Sequence, residues 1–351
     1  MRQSFDHRHA AHCESGTMSA LLRNRGLDLS EPMVFGIGGG LFFLYMPFIK
    51  MGGIPLTAYR AAPRVIIKNT CKRLGITLRT MRFRKPEDSM AELDRLLEKG
   101  ISVGLQTSVF YLPYFPRDMR FQFNAHNLVV FGKEGDNYLI SDPVFEHPVS
   151  CPADDLRRAR FAKGIYAPKG LLYYPEKMPA PPDLPDLKEP IKKALRQTCA
   201  RMLNIPLPFV GVRGIRYLAR AIERWPVKLG PEKAPVYLGS VVRMQEEIGT
   251  GGAGFRFMYT AFLQEASDLL GLSQLKDAAK MMSENGDLWR EFAVKGARLC
   301  KGHETGKEIY NELAAIVREC ADREEEIFRL LKQAVLGCAG NALTPTTIVR
   351  P

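Results

Sequence analysis

The chain has 351 residues, a formal net charge of +12 and seven cysteines. Its length exceeds a single typical core, so two domains are expected. The cysteines (Cys13, Cys71, Cys151, Cys199, Cys300, Cys320 and Cys338) are odd in number without paired close spacing, which argues against a disulfide scaffold; with no signal peptide, a reduced cytoplasmic protein is expected.

In chain order, the first signal is His12-Cys13-Glu14-Ser15-Gly16. Met18, Leu21 and Leu22 then repeat at helical spacing until Arg25-Gly26, which predicts a helix with Cys13 near its N-terminal end. Orphan amides and the positive end of the macrodipole favour a thiolate there, although most free cysteines are simply small buried hydrophobes. His7, His9, His12 and Cys13 match no common zinc spacing, so no metal site is expected. Val34 to Ile49 is the most apolar stretch, but it is too short to span a bilayer and contains five glycines and prolines. It reads as a buried loop-and-helix packing segment.

From Arg60 to Lys85, nine lysines and arginines occur with no acidic residue among them. A basic face of this kind suits an acidic protein partner; no recognition motif or stacking signature points to nucleic acid. The aromatic stretch Phe110 to Phe115 suits water exclusion, though core or loop packing is the commoner use.

The runs Asn127-Leu-Val-Val-Phe131 and Asn137-Tyr-Leu-Ile140 flank a turn signal at Gly132-Lys-Glu-Gly135-Asp136 and predict a β-hairpin. Its register decides whether His126 and Asp142 meet. A three-residue loop centred on Gly135 sets Asp142 opposite Leu128, with His126 diagonal to it on the same face. A two-residue loop puts them on opposite faces, and Asn124 or Asn127 would then be the orienting group. Cys13, His126 and Asp142 together have the makings of a nucleophile, its base and the acid that orients the base.

Seven prolines from Pro168 to Pro190 (168, 175, 179, 181, 182, 185 and 190) mark a stretch ill-suited to helix or central strand. The expected organisation is therefore a catalytic domain over 1–167, a linker over 168–190 and a helical domain over 191–351. Helical periodicity covers Tyr237–Ile248, Phe255–Leu270, Leu275–Met282, Asp287–Leu299 and Lys307–Leu336. Gly249-Thr-Gly-Gly-Ala-Gly254 joins two of these helices. It lacks the Gly-Lys-Ser/Thr of a nucleotide loop, but Gly251, Gly252 and Arg256 could hold an anion such as a phosphopantetheine phosphate; a tight interhelical turn is the plainer reading.

The stretches His12–Gly16, Leu29–Gly40, Tyr111-Leu-Pro-Tyr114 and Ala125–Val130 resemble the N-terminal domain of the butirosin biosynthesis protein H family. Gly249–Gly252 with Phe255-Arg256 resembles the helical domain of uncharacterised function that commonly follows it. The resemblance implies an α+β, papain-like cysteine-enzyme domain with an antiparallel sheet, followed by a mostly α-helical domain. It also implies an acyltransferase that moves an acyl group from an acyl carrier protein thioester to a small-molecule amine. Cys13 would be the nucleophile, His126 the base and Asp142 the orienting acid. No cofactor is implied, since phosphopantetheine arrives on the carrier. Papain-like enzymes usually place a glutamine a few residues before the nucleophile to hold the oxyanion, and here that stretch has none. The Cys13 amide with His7 or His9 is the expected substitute, with Gln3 and Gln106 as alternatives. A hydrolase using the same residues, or a non-catalytic module that keeps them, remains open.

Overall fold

The structure, a computed structural model, describes residues 4–179, 186–303 and 306–337; Gln3, Pro181, Pro182, Pro185 and Cys338 lie outside them. The chain forms two compact units, one built from Met1–Gly38 with Ala62–Asp186 and the other from Gly39–Ala61 with Leu187–Pro351.

The first unit is α+β. It contains α1 (Cys13–Arg23), α2 (Glu31–Ile37), α3 (Val65–Arg73), β3 (Thr77–Met81), α4 (Pro86–Glu98), β4 (Val103–Thr107), β5 (His126–Glu134), β6 (Asn137–Ser141), β7 (Val149–Pro152), α5 (Ala153–Arg160) and β8 (Leu172–Lys177). The strands form one antiparallel sheet in the order β3-β8-β4-β5-β6-β7. Central strands are covered on both faces, so all of β4 and the first seven residues of β5 are buried, polar Gln106, Thr107, His126 and Asn127 included. Leu105, Leu128, Val130, Ile140 and Leu172 pack with Leu93 and Leu96 of α4 and with Leu156 and Ala159 of α5. The alternate residues of β5 point the other way, and α1 lies against β4, β5 and β8. Buried Arg160 ties α5 to its neighbours, donating to Ser89 Oγ (2.6 Å), Ser89 O (3.1 Å) and Gly170 O (3.3 Å).

The second unit holds β1 (Leu41–Met51), β2 (Ile54–Arg60), α6 (Lys188–Leu203), α7 (Gly211–Glu246, broken at Gly230), α8 (Arg256–Leu270), α9 (Ser273–Cys300) and α10 (Lys307–Gly337). Its core takes Phe43 and Tyr59 from the hairpin, which contact the Trp289 ring at centroid distances of 6.2 and 5.6 Å.

Two expectations from the sequence are corrected. The apolar segment from Val34 to Ile49 is not a loop-and-helix piece: it leaves α2 and becomes β1, whose first six residues alternate between buried and half-buried before the strand runs out to the surface. With β2 it belongs to the second unit, so the division of the chain is not linear at 167. The stretch 168–190 is not all linker either, because β8 lies between β3 and β4 inside the sheet. Pro175, on the interior strand β8, opposes Leu78 of β3 next to a register shift, an irregularity at which a strand tolerates a proline.

Candidate active site

Cys13 is the first residue of α1, following the N-cap His12, and is 8% exposed. The segment leading into it is held by the Glu31 carboxylate, which accepts from Ala11 N (2.9 Å), His12 N (2.8 Å) and Ser15 Oγ (3.0 Å). Glu14, fully buried, accepts from Ile66 N (3.0 Å) and Ile67 N (3.4 Å), so the residue after the cysteine caps α3. The cap position of α3 itself is Arg64, with φ 71° and no side-chain cap bond. Gly16 is needed because a Cβ there would lie 2.6 Å from Ala10 Cβ and 2.9 Å from Pro143 Cβ. The first turn of α1 thereby closes onto the residue after Asp142.

His126 opens β5, and its Nε2 donates to Asp142 Oδ2 at 2.7 Å. Asp142 is fully buried; its Oδ2 also accepts from Tyr114 Oη (2.9 Å), and its Oδ1 from Val144 N (3.1 Å). The aspartate thus ends β6, nucleates the following turn and holds the imidazole with one side chain. The Phe115 ring stands edge-on to His126 at 5.4 Å. Cys13 lies near enough to His126 to act on its charge. Since Nε2 is engaged by Asp142, Nδ1 is the nitrogen left for the sulfur. Burial disfavours a charged imidazole, but the Asp142 carboxylate and, to a lesser degree, the neighbouring Cys13 outweigh it, and the His126 pKa is pushed up to about 10. Chemically, this can hold a proton beside a sulfur and return it to a leaving group.

The register that brings these residues together has a different origin from the one expected. The loop between β5 and β6 has two residues, Gly135 and Asp136, with Glu134 paired to Asn137. Positive φ falls on Gly135 (56°), the glycine-first pattern of a two-residue turn. Alone, that loop would set His126 and Asp142 on opposite faces. A β-bulge between Val130 and Gly132 adds one residue and restores the parity, so Val129 pairs with Ser141. Leu128 therefore falls opposite Asp142, and neither Asn124 nor Asn127 is needed as the orienting group.

Other expected site residues are placed elsewhere. His7 does not reach an oxyanion position: its Nε2 donates to Phe145 O (3.0 Å) and its Nδ1 lies 2.7 Å from Ser141 Oγ, clamping the N-terminal segment to the Asp142 turn. Gln106 gives its amide hydrogens to Asn124 O and Tyr166 O, both at 2.8 Å. His9 is exposed. Arg256 is no anion clamp. Its guanidinium is fully buried and donates to Glu324 Oε1 (2.9 Å), Glu324 Oε2 (3.0 Å) and Gly254 O (2.7 Å). Gly252 (φ 87°) and Gly251 (φ 65°) serve a tight turn in which Gly252 N donates to Thr250 Oγ1 and Ala253 N to Glu246 Oε1, each at 3.0 Å. Among the described residues, no group of three His, Cys, Asp or Glu side chains is placed to hold a metal ion.

Sequence reasoning missed Tyr114 and Glu31 as parts of this site. Both act by hydrogen bonds across more than fifteen residues, and no local spacing announces them.

A thiol at the N-terminus of a helix, set against an antiparallel sheet that supplies a histidine and an aspartate, defines a papain-like cysteine-enzyme fold. Residues 12–143 match the family model described as butirosin biosynthesis protein H, N-terminal, and residues 154–331 match the domain of unknown function DUF4872. The chain belongs to the family that these two domains define, the second match alone covering half of it. No curated protein matches it. Among solved structures, a protein from Bacillus anthracis described as a C39-like peptidase is similar over 48% of this chain and 90% of its own, with 14% identity and a TM-score of 0.33.

Proposed function

We propose that Cys13, His126 and Asp142 form a catalytic triad and that the protein is a cysteine-dependent acyltransferase. The observation that carries this reading is the His126 ring, bonded through Nε2 to buried Asp142 at 2.7 Å, with Cys13 at the α1 N-terminus close enough to act on its charge. The Cys13 sulfur attacks the thioester of an acyl carrier protein, and the carrier thiol leaves with the proton held by His126. An amine then attacks acyl-Cys13, yields its proton to His126 and expels the sulfur as an amide forms. Phosphopantetheine enters as part of the donor, and no separate cofactor is called for. Tyr114 and Glu31 are positioning residues, one for Asp142 and the other for the loop before the nucleophile.

Two observations favour transfer over hydrolysis. The family is described by a biosynthetic protein, and Cys13 is nearly covered, with Phe115 packed against its base. Lys68, Lys72, Arg79, Arg82 and Arg84 are exposed on and after α3 and the edge strand β3, which suits an acidic carrier in the cytoplasm. The test is incubation with acyl-carrier thioesters followed by intact mass measurement. An adduct on Cys13 that persists until an amine is added, and is absent from Cys13→Ala, is the expected result. An adduct that decays equally fast in water marks a peptidase, amidase or thioesterase instead; no adduct with any thioester rejects the triad.

A further inference from the structure

One groove in the first unit has a composition that its place in the sheet does not require. It is open to solvent and offers about 560 Å³ between the turn after β4, the segment before β5 and α5 with the loop beyond it. That volume suits a small organic molecule. Phe110 and Tyr111 stand on its rim, 45% and 38% exposed, fixed edge to face at 5.1 Å, and Phe161 contributes a third ring.

The groove is also cationic. Arg157, Arg158 and Lys163 line it, and among the described residues no carboxylate does. Asp154, outside the lining, is shared by two of these cations, with Arg157 Nη2 at 2.5 Å from Oδ1 and Arg158 Nη2 at 2.7 Å from Oδ2. Asp155 is 4.0 Å from Arg158. One shared carboxylate and one distant one leave this wall positive. The wall is built in advance of any ligand: Asn124 Nδ2 donates to Lys163 O (3.1 Å) and Ile165 O (3.0 Å), and Ser108 N to Ala159 O (2.9 Å).

Two of its lining residues neighbour His126 along the chain or across the strand register. Asn124 lies two residues before His126, and Ser108 follows Thr107, the register partner of His126. Three rings and a positive wall select a molecule with an apolar or aromatic body and an anionic group; a polycation would be repelled. We infer that this groove is the acceptor subsite, and that the acceptor amine carries a carboxylate, sulfonate or phosphate on an aromatic or branched apolar body. The inference rests on the Cys13 reading only for what happens to the occupant, because binding does not require the nucleophile.

The test uses 8-anilinonaphthalene-1-sulfonate as the anionic aromatic probe and N-phenyl-1-naphthylamine as its neutral counterpart, both read by fluorescence with the full chain. One sulfonate probe per chain is expected, bound at least tenfold more tightly than the neutral one. Lys163→Glu and Arg158→Glu should each weaken the anionic probe at least tenfold and leave the neutral one unchanged, with thermal melts confirming the fold; among the described residues Lys163 has no carboxylate partner, whereas Arg158 pairs with Asp154, so Lys163 provides the safer of the two. Cys13→Ala should bind as the unaltered chain does. Equal affinity for the two probes, or charge reversals without effect on the anionic one, would overturn the assignment. Failure of the triad would show separately, as loss of preferential Cys13 alkylation with probe binding intact.

Discussion

Each unit of this protein buries an ionic cluster, and the two are finished differently. In the second unit, Glu324 takes Arg256 through both carboxylate oxygens, and its Oε1 also accepts from Trp289 Nε1 (2.9 Å) and Asn285 Nδ2 (3.2 Å). The guanidinium lies 5.5 Å from the Tyr59 ring and 5.2 Å from Trp289, and its remaining bond goes to Gly254 O. This cluster is closed to substrates. In the first unit, Asp142 is as deeply buried and its oxygens are as fully bonded, but it acts on a ring that also interacts with Cys13, the proposed nucleophile. A buried ion pair with every donor engaged is structure; one that passes its charge to an unsaturated end is a candidate for chemistry.

The comparison is broken most severely at Cys13. Cys13→Ala should lower acyl transfer by about 10⁴- to 10⁶-fold, as removal of a triad nucleophile does, with little change in melting temperature. Transfer that survives in this variant would move the chemistry elsewhere. The opposite pattern is expected in the other cluster: Arg256→Met should cost about 3–5 kcal/mol of stability by leaving Glu324 buried without its cation. In the surviving folded fraction, iodoacetamide should still alkylate Cys13 at the unaltered rate. A fall in that rate would show that the Arg256 cluster contributes to the site after all.

Acidity sharpens the contrast. A histidine whose folded pKa is raised to about 10 stabilises the folded chain fully below its unfolded value near 6.5, and that contribution is lost as pH rises through about 10. His126→Gln should therefore flatten the decline in stability between neutral and alkaline pH, measured by denaturant titration at several pH values. The same variant should slow Cys13 alkylation at neutral pH by about 10²-fold. By contrast, Cys71, Cys151 and Cys199 are pushed up to about 12 by burial, so alkylation should leave them largely untouched while the chain is folded.

The smallest effect is expected on the surface. Reversing Arg79, Arg82 and Arg84 to Glu should slow loading from a carrier-bound donor by about tenfold at low salt and less as salt screens the surface. Loading from a small free thioester should be unchanged. Equal slowing with both donors would indicate damage to the fold, and no slowing would remove this face from the docking hypothesis.

Much of the site is legible in the amino-acid sequence. Cys13 can be placed at a helix start because apolar residues follow at helical spacing, and the hairpin because two β-rich runs flank Gly135. The helices Phe255–Leu270 and Lys307–Leu336 are also readable from period alone, being long and amphipathic; they form α8 and α10 within a residue or so. The expected breaks are less reliable. Leu275–Met282 and Asp287–Leu299 are one helix, α9, because the intervening Asn285 and Gly286 are buried: Asn285 donates to Glu324, and a Cβ on Gly286 would meet the Phe257 ring at 2.7 Å. Helix α6 is hidden by its proximity to the prolines.

Sequence alone thus determined which groups could react and the elements that carry them, because helical and strand periods are written locally. Tertiary structure decided which of them meet. The bulge that lets His126 face the same way as Asp142 has no local signature, since Phe131 is as good a strand residue when unpaired as when paired. The engagement of Arg256 by Glu324 joins residues 68 positions apart. Its role depended on whether a carboxylate from a distant helix reached it first, and only the packed chain could answer that.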